Sequence, residues 1–279
     1  MPKTNRNRRL QRLDAELVRR KDARSRDHAR EMILAGRVSV NGMLATKPAT
    51  GVDGDVSIRV TVSEDDRWAS RGAHKLLGAL EAFEPAGLSL SGRRVLDAGA
   101  STGGFTDVCL DRGAAEVLAV DVGYGQLIWR LQNDDRVTVL DRTNVRTLTA
   151  GELGGPADAM VGDLSFISIE LVLPALAACV AAGGDLLPMV KPQFEVGKHR
   201  LGHGGVVRAP ALRAEVTLKI ARAALQQGLS TRAVVASPLP GPSGNVEYFL
   251  WLVNDGGVGA PGEDALTAMV EKAVKEGPQ

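Results

Sequence analysis

Residues Val95–Phe105 read VLDAGASTGGF, in which an apolar strand runs into a turn that contains three glycines. This stretch decides the fold, because two kinds of enzyme place such a turn at the end of a strand. Gly99–Gly103 matches G-x-S-x-G, the nucleophile elbow of serine hydrolases. The same residues also suit a glycine loop that brings backbone close to a nucleotide. A third interpretation is a turn that only packs a helix against a strand.

The elbow interpretation requires an acid and a histidine after Ser101. Asp163, and then His199 or His203, follow it in the chain order that α/β-hydrolases use. Both histidines lie in a glycine-rich segment with no other sign of a catalytic triad. A five-residue motif with three fixed positions is also frequent by chance, so the sequence gives the elbow little support.

The nucleotide interpretation accounts for more residues. Asp97 lies at the end of the first strand and Asp121 follows the second, where a carboxylate can accept hydrogen bonds from ribose hydroxyls. Ser101 departs from the strict G-x-G-x-x-G pattern, and the loop has no P-loop lysine. A ligand without phosphates is therefore favoured, and S-adenosylmethionine offers an adenosine for Asp121 and a zwitterionic amino acid for the loop near Asp97.

Charge is distributed unevenly along the 279 residues, although the formal net charge is only +1. Residues 1–40 hold 12 Lys or Arg against 5 Asp or Glu, a balance of +7. Such a basic segment suggests a polyanionic partner such as nucleic acid, although anionic lipid or plain solvation are alternatives. The arginines predicted to bind RNA are Arg9, Arg12, Arg19, Arg20, Arg24 and Arg26.

Other features narrow the class of protein. Cys109 and Cys179 are the only cysteines and lie far apart, so neither a disulfide framework nor a zinc site is indicated, as suits a reducing cytoplasm. The basic amino terminus lacks the apolar region of a secretory signal. The longest apolar stretch, residues 169–182, is too short to span a bilayer. We therefore expect a cytoplasmic protein without a metal or a membrane partner.

Local patterns divide the chain into two domains. Helical spacing occupies residues 10–36 in two pieces, with Ser25 as N-cap and Gly36 as stop, and Asn41-Gly42 is typical of a type I′ hairpin. These features predict a small basic α+β domain over residues 1–63 and a charged linker over residues 64–70. Residues 71–279 form the second predicted domain, in which strands alternate with helices as in a doubly wound, parallel α/β sheet. The strands are predicted at Val95–Ala98, Glu116–Val120, Asp158–Val161, Leu186–Val190 and Val246–Leu252.

Four polar residues near strand ends form a candidate catalytic set. Asp163 and Lys191 each follow a predicted strand, so they should share the carboxyl edge of the sheet with the glycine loop. Lys75 and Glu247 reach that edge only if their segments fold over it. Each residue alone has an ordinary explanation as a solvated or turn residue. Together, the lysines could orient or deprotonate a hydroxyl, and the carboxylates could orient the lysines and balance their charge.

Several longer segments are similar to the TlyA family of ribosomal RNA methyltransferases. They include SRDHAREMILAGRVSVNG, SRGAHKL, LDAGASTGGFTD, VDVGYGQL, DLSFIS, VKPQFEVGK and SPLPGPSGNVEYFLWL, and together such matches cover nearly the whole chain. The resemblance implies an RNA-binding domain like that of the fourth small-subunit ribosomal protein, followed by a Rossmann-like, FtsJ-like methyltransferase domain. It also implies methyl transfer from S-adenosylmethionine to a cytidine 2′-hydroxyl in ribosomal RNA or ribosomal subunits.

The resemblance further assigns residues to roles. The family's Lys-Asp-Lys-Glu catalytic set falls on Lys75, Asp163, Lys191 and Glu247. The loop would hold the methionine part of the cofactor, Asp121 its ribose, and Asp141-Arg142 its adenine edge. The full set implied for cofactor binding is Asp97, Gly99, Ala100, Ser101, Thr102, Gly103, Gly104, Phe105, Asp121, Val122, Asp141, Arg142 and Asp163.

Family members with longer terminal segments are associated with modification of both ribosomal subunits and with sensitivity to capreomycin-type antibiotics. The basic arm before Leu10 and the long tail are similar to that longer type.

Two other functions are alternatives. Similar proteins have been labelled haemolysins, although no export signal, spanning segment or amphipathic membrane helix is evident here. A ribosome-binding factor without activity is the other alternative, and the presence of all four catalytic-type residues argues against it.

Overall fold

A computed structural model describes residues 10–61, 67–241 and 243–278. The chain divides into two compact units, Met1–Arg67 and Trp68–Gln279. Residues 64–66 of the predicted linker, and Arg9 with the arm before it, lie outside the described residues. Trp68 and Ala69, at the end of that predicted linker, are buried in the second unit. The domain boundaries drawn from the sequence stay a prediction.

The first unit joins two helices to short strands. Ser25 caps the second helix, since its Oγ accepts a hydrogen bond from the backbone N–H of His28 at 3.2 Å. Asn41 and Gly42 have φ values of 51° and 81°, as a type I′ turn requires. Its core includes Leu13, Leu17, Met32, Ile33 and Val38. The elements are β1 (Gln11–Arg12), α1 (Leu13–Arg19), α2 (Arg26–Leu34), β2 (Val38–Val40), β3 (Met43–Leu44), β4 (Gly51–Val52) and β5 (Ile58–Val60).

The second unit is built on a seven-stranded sheet with helices packed on its two faces. Alternation along each strand explains the two faces: Leu96 contributes to one apolar core and its neighbour Val95 to the other. The strands are β6 (Arg94–Ala98), β7 (Glu116–Val120), β8 (Val137–Leu140), β9 (Ala157–Gly162), β10 (Val180–Val190), β11 (Leu229–Ala236) and β12 (Tyr248–Asn254). The helices are α3 (Gly72–Phe83), α4 (Gly104–Asp111), α5 (Trp129–Gln132), α6 (Leu173–Cys179), α7 (Pro192–Glu195), α8 (Pro210–Gln226) and α9 (Glu263–Glu276).

Strand order in this sheet is β11-β12-β10-β9-β6-β7-β8, and the five strands from β10 to β8 pair in parallel. The predicted doubly wound fold is therefore confirmed as a mostly parallel sheet. The expectation of a wholly parallel sheet was wrong, because β12 pairs antiparallel with both β10 and β11. The reversal places the start of β12 beside the end of β10, where Tyr248 pairs with Val190.

Candidate active site

Strand direction explains why four distant polar residues meet at one edge of the sheet. Asp163 follows β9 directly and Lys191 follows β10 directly, at the carboxyl ends of parallel strands. Glu247 precedes β12, and it reaches the same edge because β12 runs in the opposite direction. Lys75 arrives from the first turn of α3. The structure thus brings together all four residues that the sequence singled out.

These four side chains form a continuous chain of opposite charges. Lys75 Nζ donates a hydrogen bond to Glu247 Oε2 at 2.6 Å and lies 3.9 Å from Asp163 Oδ2. Lys191 Nζ lies 2.5 Å from Asp163 Oδ1. Both lysines and Glu247 are buried, and Asp163 is half-buried. Buried charges are costly unless they are paired, so each lysine here is held in place by a carboxylate.

Two further residues contact this chain, and sequence analysis missed both. Ser165 Oγ accepts a hydrogen bond from Lys191 Nζ at 2.7 Å. Gln193 Nε2 donates to Glu247 Oε1 at 3.2 Å, which fixes the carboxylate from the side opposite Lys75. From sequence, Ser165 and Gln193 would be interpreted as turn residues, because Ser165 follows Asp-Leu and Gln193 follows Lys-Pro. Their contacts with Lys191 and Glu247 are visible only in the three-dimensional structure.

A cavity of about 300 Å³, which we name the loop-side cavity, opens between the glycine loop and the charged chain. Ala100, Ser101, Thr102 and Phe105 line it, together with Gly99 and Gly104. Residues 70–72 close one side of it, while Lys75, Asp163, Ser165 and Lys191 form its far wall. Gly103 lies within the loop at φ 100°, and a side chain there would collide with Leu131 and Leu127. The loop can therefore take this form only with glycine at that position.

Asp97 lies beneath the loop and is fully buried. Its Oδ2 accepts a hydrogen bond from Thr106 Oγ1 at 2.6 Å, whereas its Oδ1 is buried with no hydrogen-bond partner in the described part of the chain. Burial raises the pKa of Asp97 to about 7. A buried acceptor without a donor is destabilising, so a ligand that brings a cationic donor to this point would be favoured.

Asp121 ties together the two turns after β6 and β7. Its carboxylate accepts hydrogen bonds from the backbone N–H of Ser101 at 2.8 Å and of Gly123 at 2.7 Å. Asp141, which follows β8, accepts a hydrogen bond from the N–H of Gly125 in the segment after β7, at 2.9 Å. Arg142 stacks its guanidinium on the Tyr124 ring, 4.3 Å from the ring centroid. Val122 is exposed on the same turn, so the residues expected around an adenosine form one surface beside the loop.

The contacts of Ser101 do not resemble a catalytic triad. Its hydroxyl lies 3.3 Å from Gln126 Oε1 and is oriented to donate a hydrogen bond to it. Asp163, the acid that the elbow would use, contacts the two lysines instead. Within residues 67–241, the structure shows no hydrogen bond from either residue to a histidine. The nucleotide interpretation of the loop therefore fits the geometry better.

A second cavity, of about 610 Å³, lies on the other side of the charged chain. We name it the Phe166 cavity, because the Phe166 ring lines it, is 91% exposed, and lies 5.3 Å from the Phe194 ring between centroids. Gln193, Asn245 and Glu247 contribute polar groups to its wall. An exposed aromatic pair beside buried polar groups suits a planar, partly polar ligand such as a nucleobase.

The segment that carries Phe166 is anchored to α7. Glu195 is buried and accepts hydrogen bonds from Ser168 Oγ at 2.5 Å and from the Ile169 N–H at 2.8 Å. Burial raises the pKa of this carboxyl, opposed by the two hydrogen bonds. Ser168 and Ile169 are therefore held against α7, the helix that Lys191 precedes.

The first unit presents arginines that are held by two buried carboxylates of α1. Asp14 accepts hydrogen bonds from Arg12 at 2.7 Å and from Arg26 at 3.2 Å. Glu16 accepts from Arg19 at 2.6 Å and from Arg20 at 2.7 Å. These hydrogen bonds lower the pKa of each carboxyl to about 2. Arg24 is also exposed on this unit.

Comparisons with known proteins agree with this architecture. Residues 68–254 match the model of the FtsJ-like methyltransferases, and residues 11–58 match that of the S4 domain. A Mycobacterium tuberculosis protein named 16S/23S rRNA (cytidine-2′-O)-methyltransferase TlyA is 57% identical over 96% of this chain and 98% of its own length. Hemolysin A of Brachyspira hyodysenteriae is 34% identical over 81% of this chain and 92% of its own length.

A solved structure from Streptococcus thermophilus, described as a hemolysin, gives a TM-score of 0.75 at 34% identity and covers 96% of this chain and 97% of that one. The hemolysin label thus occurs among proteins that match most of this chain. In the part of the chain that the structure describes, no helix has the length and apolar character needed to cross a membrane.

Proposed function

This chain belongs to the TlyA family of FtsJ-like methyltransferases, and we propose that it methylates the 2′-hydroxyl of a cytidine in ribosomal RNA. One observation carries the proposal: the buried chain Glu247–Lys75–Asp163–Lys191 separates two cavities of suitable size. The loop-side cavity would hold the methyl donor. The Phe166 cavity would hold the target nucleotide.

The residues around the loop-side cavity fit S-adenosylmethionine. The Oδ1 of Asp97, which is buried beneath the loop without a hydrogen-bond partner in the described part of the chain, would accept a hydrogen bond from the ammonium of the methionine part. The glycine loop itself lines the cavity and leaves backbone exposed to the ligand. Asp121 can accept further hydrogen bonds from ribose hydroxyls through its remaining lone pairs. When bound, this cofactor supplies a methyl group on a positively charged sulfur.

Activation of the hydroxyl is assigned to Lys191. A ribose hydroxyl is a poor nucleophile until its proton is taken or its oxygen is oriented. Lys191 lines both cavities, whereas Lys75 lines only the loop-side cavity among the described lining residues. Lys191 Nζ is therefore placed to orient the hydroxyl oxygen by donating a hydrogen bond to it, and to take the hydroxyl proton when the amine is neutral. Asp163 balances the charge of Lys191, and Glu247 balances the charge of Lys75.

We assign RNA binding to the first unit. It matches the S4 domain, and its described arginines are exposed to different degrees around α1 and α2. The 57% identity to a protein named for 16S and 23S rRNA supports modification of both subunits by this chain. We further propose a cytoplasmic location and, from the resemblance to the longer family members, sensitivity to capreomycin-type antibiotics. A strain without the gene should then tolerate capreomycin better than its parent.

Lys191→Ala tests the chemical assignment. Transfer of a radiolabelled methyl group to isolated ribosomal subunits should fall by roughly 100-fold or more, as expected on loss of a general base or positioning group. Cofactor affinity, measured by calorimetric titration, should change only a few-fold. Mapping of the labelled position should give a cytidine 2′-hydroxyl with the wild-type protein.

Lys272→Ala is the matched control, because Lys272 is an exposed lysine of α9 that lines neither cavity. Ser101→Ala should reduce transfer much less than Lys191→Ala does. A variant series in which Ser101 is essential and Lys191 is dispensable would contradict the proposal and restore the hydrolase-type interpretation of the loop.

A further inference from the structure

Ser165 occupies the boundary between the two cavities. It lies two residues after Asp163 at the carboxyl edge of the sheet, and its side chain is exposed. Among the described lining residues, only Ser165 and Lys191 belong to both the loop-side cavity and the Phe166 cavity. Under the proposed function, the methyl donor and the acceptor hydroxyl meet at this boundary. Ser165 is therefore close to the reacting atoms by position alone.

The contacts of Lys191 show what Ser165 contributes. Lys191 Nζ and Asp163 Oδ1 lie 2.5 Å apart, but Oδ1 takes part in no aligned hydrogen bond. The aligned hydrogen bond of Lys191 Nζ goes to Ser165 Oγ, at 2.7 Å. Asp163 thus supplies an opposite charge, which attracts from many directions, whereas Ser165 supplies a direction.

That direction matters because a lysine side chain is a flexible four-carbon stem with a freely rotating head. Ser165 lies on the segment that Glu195 anchors through Ser168 and Ile169, so this segment is tethered three residues beyond Ser165. When one N–H of Lys191 donates a hydrogen bond to Ser165, rotation of the head group is limited, so its other N–H bonds point in a restricted set of directions. A small error in the placement of a catalytic group lowers the rate substantially.

We propose that Ser165 is a positioning residue for methyl transfer, which aims Lys191 Nζ at the acceptor hydroxyl through the hydrogen bond between Ser165 Oγ and Lys191 Nζ. The inference rests on the proposed function of Lys191. It predicts a defect in the transfer step and a normal cofactor site, even though Ser165 also lines the loop-side cavity.

The first test compares Ser165→Ala with Ser165→Thr, which keeps the hydroxyl. Single-turnover transfer is measured with enzyme in excess over ribosomal subunits and with saturating S-adenosylmethionine. We expect Ser165→Ala to slow transfer by about 10-fold and Ser165→Thr to retain most of the rate. Cofactor Kd should stay within about twofold in both variants. Ser89→Ala, at an exposed serine outside both cavities, is the matched control and should transfer at the wild-type rate.

The second test is a double-mutant cycle with Lys191→Ala. If Ser165 acts through Lys191, then Ser165→Ala should cause no further loss in the Lys191→Ala background. Excess enzyme and long incubation allow rates far below wild type to be compared. An additional 10-fold loss in that background would overturn the inference, as would a normal rate for Ser165→Ala alone, or a loss explained by weaker cofactor binding.

These outcomes separate the inference from the proposed function. If Lys191→Ala abolishes transfer and Ser165→Ala does not affect it, only the assignment of Ser165 fails. If Lys191→Ala transfers methyl groups at the wild-type rate, the proposed chemistry itself fails, and the inference fails with it.

Discussion

Under the proposed function, Asp121 would serve the backbone and the ligand with one carboxylate, and this would limit which substitutions it tolerates. Its two oxygens already accept hydrogen bonds from the N–H groups of Ser101 and Gly123. Asp121→Asn keeps one carbonyl acceptor and adds two donors, so it cannot satisfy both turns and the ribose hydroxyls. We expect S-adenosylmethionine to bind about tenfold or more weakly, which corresponds to roughly 1–3 kcal/mol.

Calorimetric titration of the folded variant measures this loss. Asp135→Asn is the matched control, since Asp135 is exposed after α5 and takes no part in the hydrogen bonds that join Asp121 to Ser101 and Gly123. Unchanged affinity in a folded Asp121→Asn variant would remove Asp121 from the cofactor site.

At the residue scale, the sequence indicated a grouping that no single residue would indicate, because each of the four polar residues alone has an ordinary explanation as a solvated or turn residue. Lys75, Asp163, Lys191 and Glu247 were predicted as a set, and their contacts agree with that prediction. Ser165 was not predicted, because a serine shortly after a strand is usually a turn residue and its hydrogen bond joins positions 26 apart. The orphaned Oδ1 of Asp97 is likewise visible only when its neighbours are known.

At the scale of elements, α1 buries two carboxylates that hold four arginines in place. Glu16 has no exposed side-chain surface, and hydrogen bonds from Arg19 and then Arg20 lower its pKa to about 2. A depressed carboxyl pKa adds stability that is fully present above the unfolded value of 4.5 and is lost as pH falls toward 2. Glu16→Gln removes this contribution. We expect it to lower the unfolding temperature by roughly 5 °C at pH 7.

Thermal unfolding of the full chain between pH 7 and pH 2.5 checks whether the stabilisation by Glu16 is lost as pH falls. The difference between wild type and Glu16→Gln should shrink as pH falls below about 4.5. Glu81→Gln, at an exposed position of α3, is the matched control and should show no such trend. A difference that is constant with pH would mean that ionisation of Glu16 does not stabilise the first unit.

Elements with strong local signals were predicted correctly, and elements that depend on distant partners were not. Ser25 and the Asn41-Gly42 turn obey local rules, and both are confirmed. The direction of β12 follows from its pairing with β10, which sequence alone does not reveal. That direction also decides the site, because a parallel β12 would place Glu247 at the opposite edge of the sheet from Lys75.

The whole molecule combines a basic first unit with a second unit whose described charges include the proposed catalytic set. The balance of +7 in residues 1–40 contrasts with 22 Lys or Arg against 28 Asp or Glu, a balance of −6, in the remainder. The acidic remainder of the chain repels RNA at long range, so the basic first unit must supply most of the attraction to RNA. Cofactor binding has no such requirement, since the loop-side cavity is lined by residues of the second unit.

Removal of residues 1–63 should therefore separate the two activities. The truncated protein begins at Glu64, so it keeps Trp68 and Ala69, which are buried in the second unit. It should bind S-adenosylmethionine with nearly the wild-type Kd, which also shows that it has folded. Methylation of ribosomal RNA should be lost.

In the full-length protein, log affinity for that RNA should fall linearly with log salt, and each arginine–phosphate contact removed by substitution should reduce the slope by about 0.7–0.9. A truncated protein that methylates ribosomal RNA at the full-length rate, with the same salt dependence, would show that the arginines of the first unit do not bind the substrate.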